Sequence, residues 1–263
     1  FEVTHIMNYT DVDDKVIRRA NELGVAPTDL AARYIREYNH HLRDLGVLPA
    51  HANPRVSQEM DQILHVVNGL VEKELAYEID GDVYFRVSRG ENYGKLSGRA
   101  REDMRAGARL EVDERKEDPG DFALWKAAKP GEPAWESPWG NGRPGWHIEC
   151  SAMSMKFLGD QLDIHCGGTD HIDVDHTNEI AQSEAATGKP FFNFWMHGAF
   201  LIIQGGKKMA KSEGNFLTLE NAFLKNDINP LVYRFASFLT HYRKPMEYSD
   251  EGIEAARNGL LHL

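Results

Sequence analysis

The sequence lacks the marks of several protein classes. With only two cysteines, Cys150 and Cys166, among 263 residues, it has no disulfide framework, which predicts a reducing, cytoplasmic compartment. Its apolar runs fall far short of the ~18 residues that a membrane-spanning helix needs, so no membrane association is expected. Positive charge is scarce: 30 Lys and Arg face 41 Asp and Glu. The net charge of −11 argues against general nucleic-acid binding, since phosphates attract clusters of positive charge.

What is present is typical of a globular protein of one or two domains, with 41% hydrophobic and 27% charged residues. The chain does not begin with Met, and it opens within a predicted strand, residues 1–7. It ends at residue 263 within a predicted helix. Both ends therefore look cut, and we expect a fragment of a longer protein.

Strands and helices alternate at both ends of the chain, around a mixed middle. We expect Thr10 to cap a helix that ends at Gly24, and Asp80-Gly81 to turn a hairpin. The remaining predicted segments are helices over 28–45, 56–75, 146–158, 176–187 and 218–239, strands over 162–165, 191–195 and 199–203, and an irregular stretch over 88–145. This order predicts an α/β fold with a parallel sheet that is split by an insertion.

Two segments have the composition of a nucleotide site. The segment Lys207-Lys-Met-Ala-Lys-Ser-Glu-Gly-Asn215 can bring ammonium groups to phosphates, although a solvated loop would look the same. The segment His165-Cys-Gly-Gly-Thr-Asp170 follows a buried strand, at the edge where α/β sheets bind ligands. There Gly167 and Gly168 would let a nucleotide approach, and Asp170 would accept from a ribose hydroxyl. An ordinary glycine-rich turn is the alternative.

Four residues have the chemistry of zinc ligands. Cys150 lies on one predicted helix, and Asp175, His176 and Glu179 lie near the start of another. Asp175 and Glu179 are four residues apart and His176 and Glu179 three apart, so each pair shares a helix face. Thiolate, imidazole and carboxylate all bind zinc, but a lone cysteine and an acidic helix start also occur for structural reasons.

Taken together, four segments resemble the cysteinyl-tRNA synthetases, a class I aminoacyl-tRNA synthetase family, in the same order along the whole chain. They are Thr10-Asp-Val-Asp-Asp-Lys15, Gly142-Arg-Pro-Gly-Trp-His-Ile-Glu-Cys150, Asn178-Glu-Ile-Ala-Gln-Ser-Glu184 and Lys208-Met-Ala-Lys-Ser212. The resemblance implies a Rossmann-type parallel sheet with an inserted connecting subdomain, followed by helices. It divides the chain into the first part of the catalytic domain (1–50), the connecting insertion (51–140), the second half of the catalytic domain with the Lys loop (141–215) and the start of a helical region that contacts the tRNA stem (216–263).

The resemblance also implies the site residues. Cys150 and Glu179 match zinc ligands, whereas the family's histidine ligand falls on Asp175, so that His176 could replace it. Thr10, Trp146 and His165 match the pocket for the cysteine substrate. Gly167, Gly168 and Asp170 match the adenosine side, and Lys208 and Lys211 match the catalytic loop, with Lys211 at the phosphates. The family's His-Ile-Gly-His signature, an upstream zinc-binding cysteine and the anticodon-binding part would lie outside residues 1–263.

The implied activity is ATP-dependent activation of L-cysteine and its transfer to tRNA(Cys), with Mg²⁺ at the phosphates and Zn²⁺ on the substrate thiol. We expect the fragment alone to be inactive. A local basic track would hold the tRNA, with Arg99, Arg101, Arg105, Arg109, Arg234, Arg243 and Lys244 as candidates. Two alternatives remain: a ligase that joins cysteine to an amino sugar in the synthesis of a thiol cofactor, and a truncated, non-catalytic paralog.

Overall fold

The computed structural model describes residues 1–90, 93–98, 113–203, 205, 207–209 and 216–262. The helices in this part of the chain are α1 Asp14–Leu23, α2 Pro27–Asp44, α3 Met60–Glu72, α4 Trp146–Leu158, α5 Asp175–Thr187, α6 Leu219–Ala222, α7 Leu231–Leu239 and α8 Asp250–Leu261. The strands are β1 Ala76–Ile79, β2 Asp82–Phe85, β3 Phe122–Ala127, β4 Gly142–Pro144, β5 Leu162–Gly168, β6 Phe192–Gly198, β7 Leu201–Ile203, β8 Lys207–Lys208 and β9 Met246–Tyr248.

The N-terminal segment differs from the prediction in two ways. Residues 1–7 do not form a strand: Ile6 makes one isolated parallel bridge, while residues 1–5 are exposed and have no core to join. Thr10 does not cap α1, because Asp13 does so by accepting from the backbone N–H of Lys15 at 2.7 Å. The predicted end of α1 is correct, since Gly24 adopts φ 66° and the left-handed conformation that glycine favours.

A four-stranded antiparallel sheet occupies part of the region predicted to be irregular. The strand order is β1-β2-β3-β4, and β1 and β2 form the hairpin predicted at Asp80-Gly81. The prediction of irregular structure over 88–145 is therefore wrong at β3 and β4. Strand β3 is buried on both faces at Leu124 and Trp125, so it lacks the alternation that marks a half-exposed strand.

Parallel pairing occurs elsewhere in the chain. Strand β7 pairs in parallel with β9 and antiparallel with β8, and β5 pairs with β6. Isolated parallel bridges join Ile6 to Ala52 and Tyr9 to Arg55. Helices α4 and α5 lie on either side of β5 in the chain order. The predicted α/β class is confirmed.

The chain divides into two compact units, each with its own apolar core. The first comprises Phe1–Tyr34, Ala50–His165 and Asp170–Trp195, and the second comprises Ile35–Pro49, Cys166–Thr169 and Met196–Leu263. The first core is built from α3, α4 and the antiparallel sheet, and the second from α7 and α8. Among the described helices, none is both long and apolar enough to cross a membrane. The division into segments at residues 50, 140 and 215 stays a prediction.

A glycine lets α4 begin against the sheet. Gly145 precedes the first residue of α4, and its N–H donates to Leu124 O at 2.8 Å. A Cβ at this position would lie 1.9 Å from Ala123 O. That oxygen belongs to the backbone of β3, so it cannot move aside as a flexible side chain could.

We expect Gly145→Ala to destabilise the protein by on the order of 3 kcal/mol, because the added methyl group forces the start of α4 away from β3. Gly69→Ala is the matched control. A Cβ at Gly69, within α3, would meet no atom within 4 Å, so that change should stabilise by ~0.5–1 kcal/mol. Urea unfolding of both variants measures the difference, and equal stability would contradict the close approach.

Candidate metal and substrate site

The seam between α4 and α5 gathers most of the predicted ligands. Helix α4 begins at Trp146, as predicted, and its apolar residues Ile148 and Met153 are buried in the first core. Most side chains of α5 from His176 to Ser183 are polar and buried; Ile180 and Ala181 are the apolar members of this stretch. Since buried polar groups need partners, the stretch predicts a site rather than plain packing.

Three ligand atoms lie close together on this seam. The side chains of His165, His176 and Glu179 each offer one metal-binding atom, and these atoms all lie within 4.8 Å of one another. His165 Nε2 is 2.8 Å from Glu179 Oε2. Glu179 and His176 are each 4% exposed, whereas the His165 side chain is 21% exposed. His165, expected only to bind substrate, thus also belongs to the possible ligand group.

Cys150 contacts the same group from α4. Its thiol lies against the Glu179 carboxyl, and burial together with that negative charge raises the pKa of Cys150 well above its ordinary value. Burial also raises the pKa of Glu179, although the hydrogen bond from His165 opposes the shift. A cation between the thiol and the carboxyl would favour the ionised form of both groups.

Aromatic rings enclose the histidines. The His165 ring stacks on Phe192 with a centroid distance of 4.5 Å and meets the edge of Trp195 at 5.0 Å. Trp195 is also 5.0 Å from the His176 ring, and the rings of His165 and His176 are 4.3 Å apart. Phe192 and Trp195 were not predicted as site residues, although both lie in the predicted strand over 191–195.

Asp175 points to a different set of partners. Its Oδ2 lies 2.6 Å from His171 Nδ1, and its Oδ1 lies 3.4 Å from His147 Nδ1. Burial lowers the pKa of His147 to about 4, although the Asp175 carboxylate opposes the shift, so His147 is neutral at pH 7. Both Asp175 oxygens thus face histidines outside the His165, His176 and Glu179 group. His147 and His171 were not predicted, although His147 precedes Cys150 by three residues and His171 precedes Asp175 by four.

Thr10, Trp146 and Asp170 are the other predicted site residues in the first unit. Trp146 is the first residue of α4 and is 45% exposed, one turn before Cys150. Thr10 hydrogen bonds to the buried carboxyl of Glu149, whose pKa is raised well above its ordinary value by burial and by nearby Asp13. Asp170 is exposed in the 3-10 turn Thr169–His171.

The remaining predicted residues lie in the second unit or outside the described residues. Gly167 and Gly168 end β5, and Lys208 ends β8, where only its backbone is described. Lys211 lies outside the described residues. Of the predicted basic track, Arg234, Arg243 and Lys244 are described, whereas Arg99, Arg101, Arg105 and Arg109 lie outside. Arg234 donates to Leu45 O at 2.9 Å and to Gly46 O, so it holds the end of α2.

A buried arginine joins two of the sequence motifs. Arg143, 5% exposed, pairs with Asp14 at the start of α1 and with Glu132 at 3.2 Å. Partial burial acts to raise the pKa of Asp14, but the positive charges of Lys126 and Arg143 outweigh it, and the pKa is lowered. This pairing ties the segment that carries Thr10 to the segment that leads into α4.

The fold is that of class I aminoacyl-tRNA synthetases. Two solved structures of Mycobacterium tuberculosis methionyl-tRNA synthetase, both with methionyl-adenylate, superpose on 98% of this chain and 61% of theirs, with TM-scores of 0.67 and 0.69 at 15% and 14% identity. Residues 1–258 match the family described as "tRNA synthetases class I (C) catalytic domain", and the chain belongs to that family.

Similarity to cysteine–tRNA ligases covers the whole of this chain. The cysteine–tRNA ligase of Listeria monocytogenes serotype 4a (strain HCC23) is 54% identical over 263 residues, which cover 100% of this chain and 55% of the relative. That of Heliobacterium modesticaldum is 53% identical over 264 residues, covering 100% of this chain and 54% of the relative. The chain therefore spans about half the length of the relatives it matches.

We expect Asp14→Asn to destabilise the protein by roughly 1–3 kcal/mol at pH 7, because Arg143 is buried and loses one of its two carboxylate partners. A carboxyl whose pKa is lower in the folded than in the unfolded protein stabilises the fold at pH values above its unfolded pKa, near 3.9. That stabilisation is lost as the pH falls through the folded pKa. The difference from wild type should therefore begin to shrink below about pH 4 and vanish only once the pH lies below the folded pKa of Asp14.

The matched control is Asp160→Asn. Asp160 pairs with Lys189 at 2.8 Å, but both side chains are about half exposed, so this change should have little effect. Thermal unfolding at several pH values measures both variants. Equal losses at pH 7, or a loss for Asp14→Asn that persists in acid, would contradict the proposed role of the pair.

Proposed function

We propose that the complete protein is a cysteine–tRNA ligase, an aminoacyl-tRNA ligase that activates L-cysteine with ATP and transfers it to tRNA(Cys). The observation that carries this proposal is the buried group at the α4–α5 seam, where Cys150 lies against Glu179 beside two histidines. Such a set suits a soft, thiol-binding metal. The similarity to cysteine–tRNA ligases along the whole chain supports the same substrate.

The residues at the seam fit Zn²⁺. Cys150 would supply a thiolate, Glu179 a carboxylate, and His176 or His165 an imidazole, which are the ligand types that zinc takes. When bound, Zn²⁺ would hold the thiol of the substrate as a thiolate. The buried histidine and aromatic rings would exclude water from this position, and serine, with a harder hydroxyl, would be a poor substitute.

His176, rather than Asp175, is the proposed imidazole-side ligand on the first turn of α5. The two oxygens of Asp175 face His171 and His147, whereas the His176 ring lies with His165 and Glu179. Asp175 would then hold His171, the histidine it hydrogen bonds, in place without touching the metal. Outer carboxylate–histidine contacts of this kind orient the groups around a metal site.

The reaction needs no protein nucleophile. In the first step, a carboxylate oxygen of cysteine attacks the α-phosphorus of ATP, the bond to the β-phosphate oxygen breaks, and pyrophosphate leaves. In the second, a ribose hydroxyl of the terminal adenosine of the tRNA attacks the acyl carbon, and AMP leaves. Catalysis would consist of positioning and of stabilising phosphate charge. Lys208 and Lys211, with Mg²⁺, would meet the phosphates, and Gly167, Gly168 and Asp170 the adenosine.

Thr10 and Trp146 would complete the amino-acid pocket, together with His165. Thr10 contacts Glu149, and Trp146 is the first residue of α4, one turn from Cys150. The basic side chains near the C-terminal end of the chain would face the tRNA.

The presence of both a free, partly buried Cys150 and a free, exposed Cys166 suits a reducing compartment, and we propose the cytoplasm.

We expect the complete protein to catalyse cysteine-dependent pyrophosphate exchange, because the site would recognise the thiol itself. The rate with cysteine should exceed the rate with serine by on the order of a thousandfold or more, since a site specific for one polar group strongly rejects a substrate that lacks it. Glu179→Gln should reduce this exchange, since it removes a buried ligand charge. Transfer of cysteine to tRNA(Cys) and transfer of cysteine to an amino sugar are measured in parallel assays. Transfer to the sugar and not to tRNA would contradict the proposal.

We expect His176→Ala to lose bound zinc and to weaken cysteine binding, because it removes the proposed imidazole ligand. Asp175→His should change zinc content little, since Asp175 faces other histidines. His65→Ala, on the exposed side of α3, is the control and should leave both measurements unchanged. Metal analysis and the KM for cysteine separate the variants. If Asp175→His instead lowers the KM for cysteine, on the order of tenfold, then Asp175 is itself a ligand.

A further inference from the structure

A buried polar network joins α4 to α5 beside the proposed ligands. Gln182 is 0% exposed, and its Nε2 donates to His147 O at 2.5 Å and to Ser151 Oγ at 2.6 Å. Ser183 Oγ donates to the same Ser151 Oγ at 2.7 Å. Every one of these contacts crosses from one helix to the other, so the network fixes how the two helices meet.

The network and the proposed ligands share one seam. Gln182 follows Glu179 by three residues on α5, which places both on one face of the helix, about one turn apart. On α4, Ser151 follows Cys150 directly. A shift of α4 along α5 would therefore break the contacts of Gln182 and separate Cys150 from Glu179 at the same time.

Stability alone does not explain this arrangement. Gln182 Oε1 is buried and, among the described residues, has no hydrogen-bond partner. An unpaired buried oxygen destabilises the folded state, whereas an apolar side chain of similar volume would fill the space without that cost. The surroundings are apolar, since Ile148 and Ala152 of α4 and Ala181 of α5 belong to the first core. The amide therefore contributes what an apolar contact lacks, namely hydrogen bonds of fixed direction between the two helices.

We propose that Gln182, acting through Ser151 and His147 O, is a positioning residue that sets the register of α4 against α5. This register keeps the Cys150 thiol and the Glu179 carboxyl facing one metal ion. The inference rests on the proposed function, because the metal and the cysteine substrate are part of it. Beyond that function, it assigns a role to Gln182, whose side chain would touch neither the metal nor the cysteine substrate.

The test compares Gln182→Met, Ser151→Ala and Thr187→Ala in the complete protein. Gln182→Met keeps the volume and removes the directed contacts, and Ser151→Ala removes the shared partner without adding atoms. Thr187→Ala is the matched control, since within the described part of the chain Thr187 Oγ1 bonds only to Ser183 O in α5 and to the backbone of Lys189 just after it. Three quantities are measured: thermal unfolding of the metal-free protein, Co²⁺ affinity with the visible absorption of the bound ion, and the KM values for cysteine and ATP.

Gln182→Met should leave the unfolding temperature unchanged or raised, while Co²⁺ affinity falls roughly ten- to hundredfold and the absorption of the bound ion changes. The KM for cysteine should rise and the KM for ATP should not. Ser151→Ala should show the same pattern more weakly, and Thr187→Ala should match wild type.

Two results overturn the inference by itself: wild-type Co²⁺ affinity and absorption in both variants, or a loss of metal affinity that only parallels a loss of stability. If Gln182→Met does not fold, Ser151→Ala decides between these results. A wild-type protein that takes up no Co²⁺ contradicts the proposed function and this inference together, so the two failures are distinguishable.

Discussion

Burial of the Glu179 carboxyl between two helices is the constraint on which the site depends. A carboxyl at 4% exposure loses its water and raises its pKa unless positive charge or donors compensate. The His165 ring lies 2.8 Å from this carboxyl, and the Cys150 thiol lies against it. Burial and the Glu179 charge disfavour the ionised form of the thiol, and a divalent cation between the two groups would favour it.

The surrounding structure serves to hold this arrangement rather than to maximise stability. Gly145 allows α4 to begin against β3, and Arg143 ties that start to α1 through Asp14. The polar seam of Gln182 and Ser151 aligns α4 with α5, at the cost of an unpaired amide oxygen. Trade-offs of this kind are expected where a fold carries a site, since local rules of packing are broken there and compensated elsewhere.

Helix α4 was predicted at its observed bounds. Of the four ligand candidates, His176 and Glu179 lie in one close group with His165, and Cys150 lies against Glu179, but their roles as ligands stay predictions. The cap of α1 was predicted at Thr10 and lies at Asp13. Both side chains can accept from backbone N–H groups, so their chemistry does not distinguish them. Strand β3 was missed because burial on both faces removes its alternation. Which of Asp175 and His176 is the ligand stays a prediction, and the spacing of the two residues did not show that Asp175 contacts His171 whereas His176 lies with His165 and Glu179.

X-ray absorption at the zinc edge of the complete protein tests the central claim most directly, because it counts the sulfur atoms bound to the metal. The account predicts that adding L-cysteine increases the number of sulfur ligands by one, that L-serine does not, and that the increase is lost in Glu179→Gln. A sulfur count that stays the same when L-cysteine is added, in a protein that holds zinc, would contradict a site built to bind the thiol of the substrate.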